Sequence, residues 1–235
     1  MQKRGTKYQW GASRVLRTCL HSFCALVTEP VRRAAVRAQF SGGIHALGFG
    51  TMGVYNCTFE NNTAEWCGAI NVQACAMEMH NCVFRNNTAV KNGGALCSQD
   101  NRGPTLLRKC DFTENVAGKK GGAVMAFGLM DMDTCTFSMN QAEEGGAIAV
   151  RGNPRLVNFY TSVLKKNIAT KDGGAVFVDR GGTVSLQTGT VLKDNVAMRG
   201  SNVYVAPASS VQYVLPAPPG YWAPASKCKV WRKAC

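Results

Sequence analysis

The sequence has 235 residues, with 27 Lys and Arg against 14 Asp and Glu, for a formal net charge of +13. Acidic and basic side chains alternate along its middle, as at 119–120 and 143–144. This mixture argues against one continuous phosphate-binding stripe, so nucleic acid is not expected as a partner. No run of about 18 apolar residues occurs, so no transmembrane helix is expected.

Residues 1–40 are predicted to be a basic N-terminal extension. They hold eight basic side chains and one acidic side chain, Glu29. The short apolar run at 18–27 contains a histidine and lacks a clear small-residue cleavage site, so it resembles a secretory signal only poorly. We expect a weak signal or a disordered segment, followed by a degenerate first coil at 31–53. The patternless start suggests that the chain is part of a larger protein.

Residues 41–206 contain a repeat of 25–28 residues. Each copy has an apolar residue, an Asn three positions later and an Ala two positions after that, and a Gly pair follows in four copies. The apolar column is Phe59, Phe84, Phe112, Phe137, Leu164 and Leu192. The Asn column is Asn62, Asn87, Asn115, Asn140, Asn167 and Asn195. Self-similarity at a fixed period of this size is the signature of a solenoid.

The residue types within the repeat indicate which solenoid it is. Short apolar runs with period-two alternation are bounded by glycine, and about 25 residues leave no room for a helix. The sequence therefore predicts an all-β fold, a parallel β-helix of about six coils. At a rise of ~4.8 Å per coil the rod would be about 30 Å long.

The repeated columns have structural interpretations. We expect the Phe and Leu column to stack in a dry core. We expect the Asn column to lie at bends with left-handed φ and to bond the Asn one coil away. The Gly pairs are predicted to form tight corners.

The motif Phe-x-x-Asn-x-Ala followed by Gly-Gly-Ala-Ile/Val/Leu, across 41–206, resembles the repeat of the chlamydial polymorphic outer-membrane proteins and their right-handed β-helix relatives. The resemblance implies a right-handed β-helix that is secreted or displayed at the cell surface, and outer-membrane-associated in a bacterium. It also implies a non-enzymatic, adhesin-like or structural role, with host or matrix proteins or glycans as partners. Contacts are expected at the variable turns: Glu60, Asn61, Arg85, Asn86, Lys165, Lys166, Lys193 and Asp194.

The chain has 11 cysteines. One repeat column contains Cys57, Cys82, Cys110 and Cys135, and continues as Ser162 and Thr190. Replacement by Ser and Thr favours a buried thiol ladder over disulfides in this column, with Cys acting as a small apolar residue. Cys67, Cys75 and Cys97 lie outside the columns and are better candidates for a bridge, while Cys19 and Cys24 precede the repeat.

No catalytic, metal or cofactor site is predicted, and no ligand-binding residues can be assigned. The three histidines, His21, His45 and His80, form no ligand set. Asp131 and Asp133 share one strand without an acid in the neighbouring coils, whereas glycoside chemistry needs convergent carboxylates. The alternative function is a carbohydrate-active β-helix, either a lyase, a hydrolase or a glycan-binding protein.

Asparagine sequons occur at Asn56, Asn61 and Asn86. Asn61 and Asn86 are the possible glycosylation sites, because we expect Asn56 to lie in a strand. Residues 207–235 are predicted to be a Pro-rich exit from the rod, leading into the start of a truncated Cys-rich segment at Cys228 and Cys235.

Overall fold

A computed structural model describes residues 39–47, 51–99, 103–152 and 156–213, together with the backbone of four two-residue strands at 26–27, 31–32, 221–222 and 232–233. The chain forms a right-handed parallel β-helix of about six turns, which confirms the predicted fold. The described ranges contain no helix, and thus none that could cross a lipid bilayer. Cys19, Cys24, His21, Cys228 and Cys235 lie outside the described residues.

Each complete coil contributes one short strand to each of four parallel sheets, named I to IV in the order in which the chain visits them. Sheet I contains β1 (Leu26–Val27), β4 (Thr51–Tyr55), β8 (Ala76–His80), β12 (Thr105–Arg108), β16 (Met130–Asp133), β20 (Leu156–Tyr160), β24 (Thr183–Leu186) and β27 (Ser210–Tyr213). Sheet II contains β2 (Val31–Arg32), β5 (Thr58–Glu60), β9 (Val83–Arg85), β13 (Asp111–Thr113), β17 (Thr136–Ser138), β21 (Val163–Lys165) and β25 (Val191–Lys193).

Sheets III and IV complete the coil. Sheet III contains β6 (Thr63–Ala64), β10 (Thr88–Ala89), β14 (Val116–Ala117), β18 (Gln141–Glu144) and β22 (Ile168–Asp172). Sheet IV contains β3 (Ile44–Leu47), β7 (Ile70–Gln73), β11 (Leu96–Gln99), β15 (Val124–Ala126), β19 (Ile148–Arg151), β23 (Val176–Asp179) and β26 (Val203–Val205). A separate antiparallel pair joins β28 (Tyr221–Trp222) to β29 (Arg232–Lys233).

The described strands extend beyond the predicted repeat at both ends. Strands β1 and β2 pair in parallel with β4 and β5, and so add to sheets I and II within the segment assigned to the basic extension. At the other end β27 pairs in parallel with β24, which carries sheet I to Tyr213. The chain therefore continues the sheets at both ends where the repeat motif is absent. Sheet pairing uses backbone hydrogen bonds, which depend little on side-chain identity.

Left-handed corners separate the sheets, and they correct one prediction. The Asn column was expected to adopt left-handed φ, and this is wrong: the left-handed residue is the one immediately before each of these asparagines. These residues are Asn61, Asn86, Glu114, Met139, Lys166 and Asp194, with φ of 52–57°. The column Asn can then point its amide into the rod, while the residue before it carries the backbone strain at an outward corner. Asn56 likewise lies at a left-handed corner after β4, with φ of 53°, rather than in a strand.

The two glycines of each Gly pair are required for different reasons. The first glycine takes a left-handed φ, as at Gly121, where φ is 67°. The second permits close approach of neighbouring coils, because a Cβ on Gly122 would lie 2.0 Å from the carbonyl oxygen of Gly146. Neither position could hold another residue without displacing backbone.

Candidate functional surface

The apolar column forms a continuous stack inside the rod. The ring centroids of Phe59 and Phe84 are 4.8 Å apart, those of Phe84 and Phe112 are 4.5 Å apart, and those of Phe112 and Phe137 are 4.8 Å apart. All four rings are fully buried and nearly parallel. Leu164 and Leu192 continue the same column in register with Phe137. This column stabilises the core and is closed to ligands.

The Asn column forms a hydrogen-bonded ladder. The Nδ2 of Asn87 donates to the Oδ1 of Asn115 at 2.9 Å and to the Phe59 carbonyl at 2.9 Å. The backbone N–H of Asn87 donates to the same Oδ1 at 3.1 Å. The side-chain bonds between successive asparagines run from Asn62 to Asn195. Because neighbouring coils use these amides, the ladder has a structural role.

The cysteine column is a ladder of buried thiols at Cys57, Cys82, Cys110 and Cys135. The thiol of Cys82 donates to the carbonyl of Val54 in the preceding coil at 3.5 Å, and that of Cys135 donates to Leu107 at 3.4 Å. Burial, together with the adjacent Cys82, raises the pKa of the Cys57 thiol from about 9 to about 11. The Cys110 thiol raises the pKa of Cys82, and burial adds to this effect.

A disulfide joins Cys67 to Cys97, whose Cα atoms are 5.4 Å apart. It links two successive coils on the outer side of sheet IV. The third candidate, Cys75, is a buried free thiol whose pKa is raised by burial. Two of the three cysteines that depart from the repeat columns therefore form the bridge.

The outer side of sheet IV is covered rather than open. Cys67, Cys97, Met125, Ala149 and Phe177 form a small apolar cluster there. Charged residues that precede the Gly pairs lie over this apolar cluster. For example, the Nζ of Lys120 is 4.4 Å from the centre of the Phe177 ring. Above them Asp172 accepts two hydrogen bonds from Arg199, at 2.6 and 2.7 Å. This cover leaves little room for a ligand on sheet IV.

The outer face of sheet I, by contrast, is lined mainly by polar and aromatic side chains in two straight columns. The column nearer the start of each strand holds Gly53, Glu78, Leu106, Asp131 and Asn158, paired coil to coil. The next column holds Tyr55, His80, Arg108, Asp133 and Tyr160. A shallow, open depression is lined by Leu106, Leu107, Arg108, Asp131, Asp133 and Tyr160.

Contacts between neighbouring coils hold these side chains in place. The ring of Tyr55 stacks on that of His80 with centroids 5.3 Å apart, and His80 Nε2 lies 2.8 Å from Glu78 Oε1. The His80 ring lowers the pKa of the Glu78 carboxyl by this hydrogen bond. Across the depression the Nδ2 of Asn158 donates to Asp131 Oδ1 at 2.7 Å.

The register places no carboxylate from a neighbouring coil beside either aspartate of the depression. Asp131 pairs with Leu106 and Asn158, and Asp133 pairs with Arg108 and Tyr160. In the part of the chain that the structure describes, no group of three His, Cys, Asp or Glu side chains is placed to hold a metal ion. The depression thus combines two carboxylates, one guanidinium and one tyrosine.

The variable turn residues lie at the outward corners between sheets II and III. Glu60 is half-buried, and the other seven are exposed: Asn61, Arg85, Asn86, Lys165, Lys166, Lys193 and Asp194. The two glycosylation candidates, Asn61 and Asn86, are thus accessible. Lys165 and Lys193 are direct partners on β21 and β25, which concentrates positive charge near the C-terminal end of sheet II.

Sequence reasoning missed the columns on sheet I. Their signal is the alternation within strands such as Ala76–His80, where Met77 and Met79 are buried and Ala76, Glu78 and His80 are only partly buried. The outward residues change from one coil to the next, so they add nothing to the repeat signature by which the coils were aligned.

Comparison with known proteins bears on the repeat. Residues 81–99, which span β9, β10 and β11, match the family model of the Chlamydia polymorphic membrane protein repeat. No curated protein and no solved structure matches the chain. The matched segment contains Phe84, Asn87 and the pair Gly93-Gly94, the residues that build the stack, the ladder and the corner. The chain therefore carries a β-helix repeat of the polymorphic-membrane-protein type.

Proposed function

We propose that this chain is a non-enzymatic rod, displayed outside the cell or at its surface, that makes adhesin-like or structural contacts through its outward side chains. One observation carries the proposal. Inside the rod each column keeps one kind of residue, such as the buried Phe and Leu column and the Asn column, whereas the outer column of sheet I consists of Tyr55, His80, Arg108, Asp133 and Tyr160. A constant scaffold with varied surface residues is the arrangement by which repeat proteins bind partners.

Two further observations support an extracellular location. The Cys67–Cys97 bridge is a bond that persists in oxidising compartments. The match of 81–99 to the polymorphic membrane protein repeat points the same way, since that family is named for its membrane association.

The test uses the full chain, oxidised and labelled, applied to cultured host-type cells and to immobilised matrix proteins and glycans. We expect saturable binding that competes with unlabelled chain. A variant carrying substitutions at exposed corners, Arg85→Ser and Lys165→Ser, and a variant altered on the sheet I face would locate the contact. Absence of saturable binding to every surface would contradict an adhesin-like role.

A second candidate function is a carbohydrate-active enzyme, which is favoured by the placement of Asp131, Asp133 and Arg108 in one open depression. Incubation with a panel of acidic and neutral polysaccharides distinguishes the two. Release of reducing or unsaturated ends, abolished by Asp131→Asn or Asp133→Asn, would replace the non-enzymatic proposal. Unchanged polysaccharide would be consistent with a rod that binds without reacting.

A further inference from the structure

We propose that the depression on sheet I is a binding site for an uncharged polysaccharide chain, with Tyr160 as its stacking platform and Asp131, Asp133 and Arg108 as its hydrogen-bonding groups. This inference rests on the proposed function and names the ligand class for one of its surfaces. The site spans β12, β16 and β20, three successive coils of the rod.

The shape of the site fits an extended chain. Its lining comes from strands that succeed one another at ~4.8 Å along the rod, so equivalent positions repeat along a straight line. A linear polysaccharide also repeats its hydroxyl groups at regular intervals along its length. The depression is open rather than enclosed, which suits an internal segment of a chain better than a small molecule that needs to be surrounded.

Tyr160 supplies an aromatic surface for the apolar face of a sugar ring. Tyr160 is 38% exposed, and it lines the depression. Tyr55, in the same column, already has a partner because it stacks on His80. An aromatic ring presents a large apolar area together with a polar hydroxyl, a combination that suits a pyranose.

The polar groups around Tyr160 match sugar hydroxyls. Carboxylates accept hydrogen bonds and a guanidinium donates them in a fixed planar arrangement. The hydrogen bond from Asn158 to Asp131, at 2.7 Å, fixes that carboxylate on the face of the sheet. The hydroxyl of Thr134 donates to Asp133 Oδ1 at 3.0 Å and holds the second carboxylate. Groups restrained in this way lose little entropy when a ligand binds.

The charge of the site selects against acidic polysaccharides. Its lining holds two carboxylates against one guanidinium, although the whole sequence has a formal net charge of +13. Uronate groups placed beside Asp131 and Asp133 would meet like charge at close range, which is unfavourable. Hydroxyl and acetamido groups carry no such penalty.

The test measures binding of neutral cello- and chito-oligosaccharides and of oligogalacturonates of matched length to the full oxidised chain, by calorimetry. We expect a neutral oligosaccharide to bind more tightly than an oligogalacturonate. Tyr160→Ala should weaken binding of the neutral ligand about tenfold, the equivalent of one well-packed aromatic contact. Asp131→Asn with Asp133→Asn should raise the affinity for oligogalacturonate, because the lining of the depression then holds the Arg108 guanidinium and no carboxylate.

Tyr55→Ala is the matched control. It removes a tyrosine from the same column four coils away, about 19 Å along the rod at the usual strand spacing, and should leave oligosaccharide affinity unchanged. Thermal unfolding of each variant shows that it is folded. Equal loss of affinity in Tyr55→Ala and Tyr160→Ala, or tighter binding of oligogalacturonate to the unmodified chain, would overturn the assignment. If the chain binds cells but none of these oligosaccharides, this site assignment is wrong while the proposed contact function stands.

Discussion

An asparagine of the ladder connects three coils, because its amide bonds one neighbour and accepts from another. Asn115 donates to Asn140 Oδ1 and to the Phe84 carbonyl, each at 3.0 Å, and its Oδ1 accepts two hydrogen bonds from Asn87. Removing such a side chain leaves several buried polar groups without partners. The cost of each is the desolvation of a group that water cannot reach.

We therefore expect Asn115→Ala to lower the free energy of unfolding by about 3–5 kcal/mol, since at least two buried groups lose their partners. Denaturant titration of the full chain measures this change. Gln141→Ala is the control and should cost less than about 0.5 kcal/mol, because Gln141 is exposed in the next coil and contacts Asn115 through its backbone N–H, which the substitution keeps. Equal effects of the two substitutions would show that the ladder adds no stability.

The thiol ladder should make the fold sensitive to alkali. The folded pKa of Cys57 is raised from about 9 to about 11, so its protonated form is favoured by folding. Stability from this group is full below its unfolded pKa and is lost as the pH rises through the folded value. We expect the free energy of unfolding to fall between pH of about 9 and about 11.

Lysines and tyrosines also titrate in this range, so a control is required. A variant with serine at Cys57, Cys82, Cys110 and Cys135 tests the assignment, because Ser162 already occupies this column and donates to the carbonyl of Tyr160 at 2.9 Å. Denaturation curves across this pH range should show a shallower decline for the serine variant. Identical declines in the two proteins would assign the alkaline instability to other groups.

At the scale of the element, the Phe stack combines burial with ring packing. Phe112 lies between Phe84 and Phe137 at centroid distances of 4.5 and 4.8 Å. Phe112→Ala should cost about 3–5 kcal/mol, because it removes a ring and leaves a cavity. Phe112→Leu should cost less than about 1.5 kcal/mol, since leucine fills most of the same volume.

The leucine variant is the informative control, because Leu164 already occupies the same column next to Phe137. Denaturant titration of each variant measures its loss of unfolding free energy, with the dependence of that free energy on denaturant concentration held the same for all variants. A leucine substitution as costly as alanine would indicate that ring stacking, rather than apolar volume, holds the column together.

The elements that the sequence predicted best are those whose side chains repeat. Phe59 and Phe84 mark the same position in successive coils because the register places them in one column, so a sequence period reports the structure directly. The left-handed corner residues were not identified, because Asn61, Glu114 and Met139 share a backbone conformation but no side-chain type. The disulfide partner of Cys67 was also not predicted, because sequence spacing alone does not show that the side chain of Cys97 points outward.

The candidate site was the least predictable part. Asp131 and Asp133 were expected to share one strand without an acid in the neighbouring coils, and the register confirms that their coil neighbours are not acidic. Their proximity to Tyr160 depends on the pairing of β16 with β20, which joins residues 27 positions apart. A surface assembled from different residue types in different coils has no period by which it can be found.

At the scale of the whole molecule, a solenoid is stabilised by contacts between neighbouring coils, so a local change should remain local. The Cys67–Cys97 bridge closes a segment with a sequence separation of 30 residues. Reducing it should lower the free energy of unfolding by about 3 kcal/mol, mainly by releasing entropy in the unfolded chain.

Hydrogen exchange should locate the effect of reduction. We expect faster exchange in β7 and β11 after reduction and little change in β19 and β23, which lie at least one coil beyond the bridge. A variant with serine at both Cys67 and Cys97 should not respond to the reductant. Uniformly faster exchange along the rod would contradict a nearest-neighbour solenoid.

The most direct test of the surface assignment is to treat intact source cells with a membrane-impermeant amine reagent and to analyse the protein by mass spectrometry without reduction. The exposed Lys165 and Lys193 report access from outside, and the peptides of Cys67 and Cys97 report the redox compartment. We expect both lysines to be labelled before lysis and the cysteine peptides to be recovered as a linked pair. Labelling only after lysis, with both cysteines reduced, would contradict it.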